Sequence, residues 1–175
     1  MKISLVIIGL YAFLFMSCNG CGEKKELSDA DVNRIQKGMI EENKKQHEQE
    51  MKDIAHFIKK KEWPMIETKT GLNYWVYENG EGEQPKENDF AYISYSIFLL
   101  NDSLCYQASD ADPKRIVVGH DNVETGLHEA LQLLHVGDRA KIILPSHLAF
   151  GFTGDSGKIP QNASVVYDIH LLRVD

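Results

Sequence analysis

VETGLHEALQLLHVGDRAKIILPSHLAFGFTGDSGKIPQNASVVYDIHLLRV, running from Val123 to Val174, is the stretch whose reading decides the fold. Glu124 to Leu134 places apolar residues at Leu127, Ala130, Leu131 and Leu134, the three-and-four spacing of one helix face. Gly137-Asp138 then ends that helix in a turn. Arg139 to Pro145 opens polar-apolar-polar and turns wholly apolar, which predicts a strand. Ser146 to Asn162 is rich in Gly, Ser and Asp around Phe150 and Phe152, the composition of a long loop. Beyond it Val165, Tyr167, Ile169 and Leu171 alternate with Val166, Asp168, His170 and Leu172, which predicts a last strand with one buried face.

Upstream, Asn88-Asp89 precedes a second alternating stretch. There Ala91, Ile93, Tyr95 and Ile97 share one face, and Tyr92, Ser94 and Ser96 the other. Asn101-Asp102-Ser103 turns the chain back towards a strand holding Cys105, and Ile116 to Val118 is a further short apolar run. Trp63-Pro64 breaks a preceding helical stretch. That stretch starts at Ser28-Asp29-Ala30-Asp31, a serine cap with an acid three positions on. Its apolar stripe, Val32, Ile35, Met39, Met51, Ile54, Ala55 and Ile58, is broken by the polar run Glu41 to Glu50. A continuous coiled-coil seam is therefore not expected. The reading is a largely solvated helix whose second half, Met51 to Ile58, packs on something.

The extreme N-terminus is of another kind. Met1-Lys2 and the apolar run Ile3 to Met16 are too short for a spanning helix and read as a signal peptide. Ser17-Cys18 resembles a relaxed lipobox, which predicts cleavage before Cys18 and its acylation. The expected organisation is thus a signal peptide over 1–17, a tether over 18–26, a charged helical arm over 27–62 and a folded domain over 63–175. Because the regular alternation begins near Thr70, a chain starting at Trp63 is expected to fold alone.

Composition bounds the function. The chain has 175 residues, 43% of them hydrophobic and 26% charged, with a net charge of −7. That charge, with no basic cluster carrying interleaved aromatics, argues against nucleic acid as a partner. The seven histidines form no HxxxH or His/Cys pairing, so neither a metal nor a cofactor is expected. Asp110 and Asp112 beside Pro113 read as a turn. Ser146-His147 and Asp155 lack the spacing of a nucleophile elbow. Cys21 and Cys105 read as free thiols with no disulfide framework.

Several ordered blocks resemble the FKBP-type peptidyl-prolyl isomerases. They are Val123, Gly126 and Ala130; Val136-Gly137-Asp138-Arg139-Ala140; Ala149-Phe150-Gly151-Phe152-Thr153-Gly154; Ile159-Pro160-Gln161-Asn162-Ala163; and Tyr167. Thr70-Gly71-Leu72-Asn73-Tyr74 and the Gly80-Glu81-Gly82 turn are similar to that family's entry. The pairing of lipobox, charged helix and Trp-Pro also resembles the gliding-motility-associated FKBP-like lipoproteins. The resemblance implies an α+β fold, a curved antiparallel sheet wrapped around one short helix and preceded by the helical arm. It implies catalytic positions at Tyr95, Val123, Leu127, Phe150, Ile159 and Tyr167, and substrate-binding positions at Cys105, Tyr106 and Glu124, the last through its backbone N–H.

The chemistry implied is rotation about X-Pro bonds of polypeptide clients. The barrier is about 18–20 kcal/mol and comes from amide resonance, so no bond is broken and no nucleophile, metal or base is needed. A dry apolar cleft that holds the amide twisted is sufficient. Three departures from the family pattern stand out: Leu127 replaces a tryptophan, Phe150 a tyrosine, and Cys105-Tyr106 a Phe-Asp pair. On that resemblance they are expected to weaken macrolide binding and need not abolish isomerisation, though a weak activity is expected. Two functions follow: an isomerase assisting the folding of envelope proteins, lipid-anchored and facing the periplasm, or a non-catalytic module of an envelope motility or secretion complex.

Overall fold

The computed structural model describes residues 28–175; the expected signal peptide, the tether and Cys18 lie outside the described residues. Helix α1, Asp29–Lys61, starts at the predicted cap, where Ser28 Oγ accepts from the Asp31 N–H at 3.3 Å and donates to Asp31 Oδ2 at 2.7 Å. Its first half leaves Ile35, Met39 and Ile40 exposed. From Glu42 onward the chain belongs to one compact unit ending at Asp175, so that unit takes in part of the arm assigned upstream of Trp63.

Seven antiparallel strands follow: β1 Ile66–Glu67, β2 Asn73–Glu78, β3 Phe90–Leu99, β4 Leu104–Ala108, β5 Lys114–Val117, β6 Arg139–Leu144 and β7 Val165–Val174. Their order is β1-β2-β6-β7-β3-β4, with β5 also pairing β3. Helix α2, Thr125–Leu131, lies between β5 and β6 in sequence and buries Leu127, Ala130 and Leu131 against the sheet's main core. It is shorter than the periodicity predicts: Gln132 is the C-cap, and Leu134 reaches the core from the turn beyond. Gly126 lets α2 approach β6, because a Cβ there would sit 2.7 Å from Leu144 Cδ2 and 2.9 Å from the Leu148 backbone. The buried Asp138 carboxylate ties the next turn, accepting from the Gly80 N–H at 2.6 Å and the His135 N–H at 2.7 Å.

Strand β7 has one face wholly in the core, and at Val166 its other face is buried too. Val165, Tyr167, Ile169 and Leu171 enter the main core as the alternation predicts. Val166 and its β6 partner Ile143 point the other way, into a second cluster with Ile54 and Phe57 of α1. Met51, Ile58 and Trp63 close over it, with the Phe57 and Trp63 rings edge to face at 5.7 Å. Met51 to Ile58 thus packs on the back of the sheet. Burying Ile54 and Phe57 contributes about 1.5–3 kcal/mol each.

The loop after β6 opens with a 3-10 turn, Ser146–Leu148, and then runs to Asn162. Asp155 holds its far half. Its Oδ1 accepts from the N–H groups of Gly157 and Ile159, both at 2.8 Å, and its Oδ2 from the Tyr106 hydroxyl. Gly154, at φ +67°, is where the loop doubles back, since a Cβ would lie 2.3 Å from the Ile159 carbonyl oxygen. The Tyr106 hydroxyl, opposed by some burial and then aided by these N–H groups, holds the Asp155 carboxyl below its ordinary value of 3.8.

Two outcomes test this account. Phe57→Ala should lower stability by about 3 kcal/mol in denaturant titration, and a chain starting at Trp63 should melt below one starting at Ser28. Equal midpoints for those two chains would show the second cluster to be dispensable, as the boundary at Trp63 implies. For Asp155, a depressed folded pKa means a contribution complete above the unfolded value and lost as pH falls through and below it. Asp155→Asn should therefore lower the thermal midpoint at about pH 7, with the gap narrowing as pH falls below about 4. A gap that persists undiminished in acid rules the clamp out.

Candidate active site

A cleft of about 490 Å³ opens between α2, the strands β3, β4 and β5, and the loop after β6. Each wall comes from a different element. Tyr95 and Ile97 stand two apart on β3, and Tyr167 lies opposite Ile97 on β7. Val123, Glu124 and Leu127 come from the start of α2, and Ala149, Phe150 and Asp155 from the loop. Lys114, Asn122 and Tyr106 complete the lining. The Tyr95 and Tyr167 rings meet at a tilt with centroids 5.9 Å apart.

Seven of the nine expected site residues line this cleft: Tyr95, Tyr106, Val123, Glu124, Leu127, Phe150 and Tyr167. Ile159 and Cys105 are not on the lining. Both are buried in the main core, at 2% and 3% exposure, where they back the wall instead of facing the cleft. The Cys105 thiol is free, and burial pushes its pKa up, with Asp155 adding to the effect.

Two features escaped the sequence reading. The first is Asp155, which brings an acid to the cleft wall beside Tyr106, where the strand itself has lost one. Its only local signal is Asp155-Ser156-Gly157, the composition of an Asx turn in which the side chain takes the N–H two residues on. The second is the Glu124 side chain, since the family resemblance assigns this position a role only through its backbone N–H. Its carboxylate is the charge beside both phenols. Burial first and Glu124 second hold Tyr167 well above the ordinary 10.0 and raise Tyr95 also. Both tyrosines are therefore neutral donors at physiological pH. Glu124 is also the N-cap of α2, so its own N–H lies outside the helix's hydrogen-bond ladder.

The arrangement offers apolar and aromatic walls, two neutral phenols and a helix N-cap. It is suited to holding a chain segment against apolar and aromatic walls.

Comparison with known proteins agrees with that geometry. Residues 81–172 match the family model described as FKBP-type peptidyl-prolyl cis-trans isomerase. The chain is 31% identical over 147 residues to the FKBP-type isomerase FkpA of Aeromonas hydrophila, covering 84% of this chain and 54% of that one. It is 28% identical over 152 residues to the outer membrane protein MIP of Legionella longbeachae, covering 86% and 65%. The chain thus spans about half to two thirds of the length of these relatives. Among solved structures, FkpA from Escherichia coli superposes with a TM-score of 0.61 at 26% identity, covering 86% of this chain and 74% of that one. AtFKBP13 superposes at 0.60 with 18% identity, covering 63% and 98%, a likeness of fold. With the matched segment spanning α2, the loop and nearly all of β7, the chain belongs to the FKBP-type peptidyl-prolyl cis-trans isomerase family.

Proposed function

We propose that the chain is a peptidyl-prolyl cis-trans isomerase that assists the folding of proline-containing polypeptides in the cell envelope, held to a membrane by a lipid on Cys18. The observation that carries the activity is the cleft itself, walled by Tyr95, Val123, Leu127, Phe150 and Tyr167. A planar amide is favoured by charge separation that water stabilises. Moved into an apolar, water-poor site, the twisted amide loses less than the planar one, and rotation accelerates. In this reading Leu127 and Tyr167 floor the site, Tyr95 and Phe150 flank it, and the Glu124 N–H takes the client's carbonyl. Ile159 and Cys105 act from behind, by keeping the wall in place.

The envelope location rests on the Met1 to Cys18 segment and on likeness to a relative named as an outer membrane protein. The −7 net charge and the cleft's lining are consistent with polypeptide clients and not with nucleic acid.

Three measurements test the proposal. The chain should accelerate a proline-limited refolding reaction, and Phe150→Ala should slow that acceleration about tenfold while leaving the circular dichroism unchanged, because Phe150 is only half-buried. A folded wild type that accelerates no X-Pro client would leave only a binding module. Phe150→Tyr restores one neutral hydroxyl, so macrolide affinity should rise about two- to tenfold with a smaller change in catalysis. Labelled fatty acid should enter the wild type and not Cys18→Ser; equal labelling would remove the anchor.

A further inference from the structure

His47 and Glu50 stand three residues apart on α1 and so share one of its faces. Glu50 is the fixed point. Its Oε1 accepts from the Ser146 N–H at 2.6 Å and from Ser164 Oγ at 2.7 Å, and its Oε2 from Ser146 Oγ at 3.1 Å. The residue after Ser146 is His147, and its ring meets that of His47 edge to face with centroids 5.8 Å apart. His47 Nδ1 lies 3.9 Å from Glu50 Oε2, and one ligand atom from each of the three residues falls within 4.8 Å of the other two.

The serine contacts alone explain why a carboxylate sits here: Glu50 tethers α1 to the loop. They do not explain two imidazoles converging on it. His147 Nε2 lies 3.1 Å from the Thr70 carbonyl oxygen. A nitrogen facing a carbonyl carries the proton, which leaves Nδ1 with a free lone pair. Histidines that bind metals are held in this way, by a backbone carbonyl on the second ring nitrogen, and their carboxylate partners are hydrogen-bonded in turn. Ser146 and Ser164 supply that second requirement for Glu50.

The donor set selects the ion. Two imidazole nitrogens and one carboxylate oxygen suit a borderline divalent metal, whereas calcium and magnesium take oxygen alone. Zinc binds such ligands at about 2.0–2.2 Å, which in a tetrahedron sets donor atoms about 3.3 Å apart. Closing from the outer limit of that spacing takes up to about 1.5 Å of relative side-chain movement. Both histidines are exposed and free to make it. We propose that His47, Glu50 and His147 form a three-ligand site for Zn²⁺ or a closely similar ion, with the fourth position open to water. The ion joins α1 to the loop that carries Ala149 and Phe150. The site stands whether or not the cleft isomerises proline bonds. The expectation of no metal rested on spacing within single segments, which does not bear on residues brought together across the fold.

Calorimetric titration of zinc chloride into the full chain, first stripped with a chelator, tests the site. His47→Ala and His147→Ala should each weaken binding at least about tenfold, while His135→Ala should leave it unchanged. Thiols elsewhere in the chain also take zinc, so dependence on the two histidines, not stoichiometry, is the readout. Both substitutions fall on exposed side chains, and unchanged circular dichroism confirms that the fold survives. Cobalt(II) should give visible bands of a four- or five-coordinate nitrogen and oxygen site in the wild type, lost in both variants. No metal uptake by the wild type, or uptake indifferent to both histidines, overturns the proposal.

Discussion

Tyr167 belongs to the main core and to the cleft wall at once, and the rest of the architecture follows from that double duty. It is 2% exposed, yet it lines the cleft. Its strand, β7, is central, pairing β6 through Ile142 and β3 through Ile97 at this very residue. The cleft is therefore the uncovered edge of the core and not a separate cavity. Its walls inherit the rigidity of close-packed side chains, which a site acting by geometry and dryness requires. The same fact limits what can be altered: truncating Tyr167 would remove a core side chain as well as a wall, at about 3–5 kcal/mol. Phe150, half-buried and on a loop, packs against that core only in part.

The part of the fold that rests on periodicity was legible. Leu127, Ala130 and Leu131 on α2, and the odd-numbered face of β7, stand where the spacing places them. The reverse face of the sheet was half legible. Ile142-Ile143-Leu144 and Val165-Val166-Tyr167 are unbroken apolar runs, and such runs signal strands covered on both sides. What covers them was not readable, because the stripe of α1 is interrupted by Glu41 to Glu50 and pattern alone does not say where Ile54 and Phe57 dock. Likewise Ile159 and Cys105 occupy positions that the family resemblance assigns to the pocket. Whether such a side chain faces the cleft or backs it depends on its neighbours, which periodicity does not report.

The least legible residues were the acids. Glu50, Asp138 and Asp155 each accept backbone N–H groups from loops or turns that have no strand partner to take them. Unpaired N–H groups are costly once buried, so a carboxylate is an effective anchor for irregular chain. Read in sequence, each is one more charge in a chain with 26 Asp and Glu, indistinguishable from a solvated surface residue. The two histidines beside Glu50 are 100 positions apart in number, and motif spacing reports only ligands that share a segment. Contacts assembled across the fold leave no such spacing in the sequence.

The departures from the family pattern then acquire a physical weighting. Walls from β3, β7, α2 and the loop enclose the cleft together, so no single side chain supplies most of its dryness. Removing a hydroxyl at Phe150 deletes one donor, worth about 0.5–1.5 kcal/mol to a ligand that uses it. Against a rotational barrier of about 18–20 kcal/mol, the same loss matters only as far as that donor acts on the twisted amide and not on the planar one. The Tyr95 and Tyr167 phenols remain in the cleft lining. Ligand affinity sums individual contacts, whereas rotation responds to the difference between two states of one bond. Leu127 and Phe150 therefore bear on which molecules lodge in the cleft more than on what the cleft does to a proline bond held there.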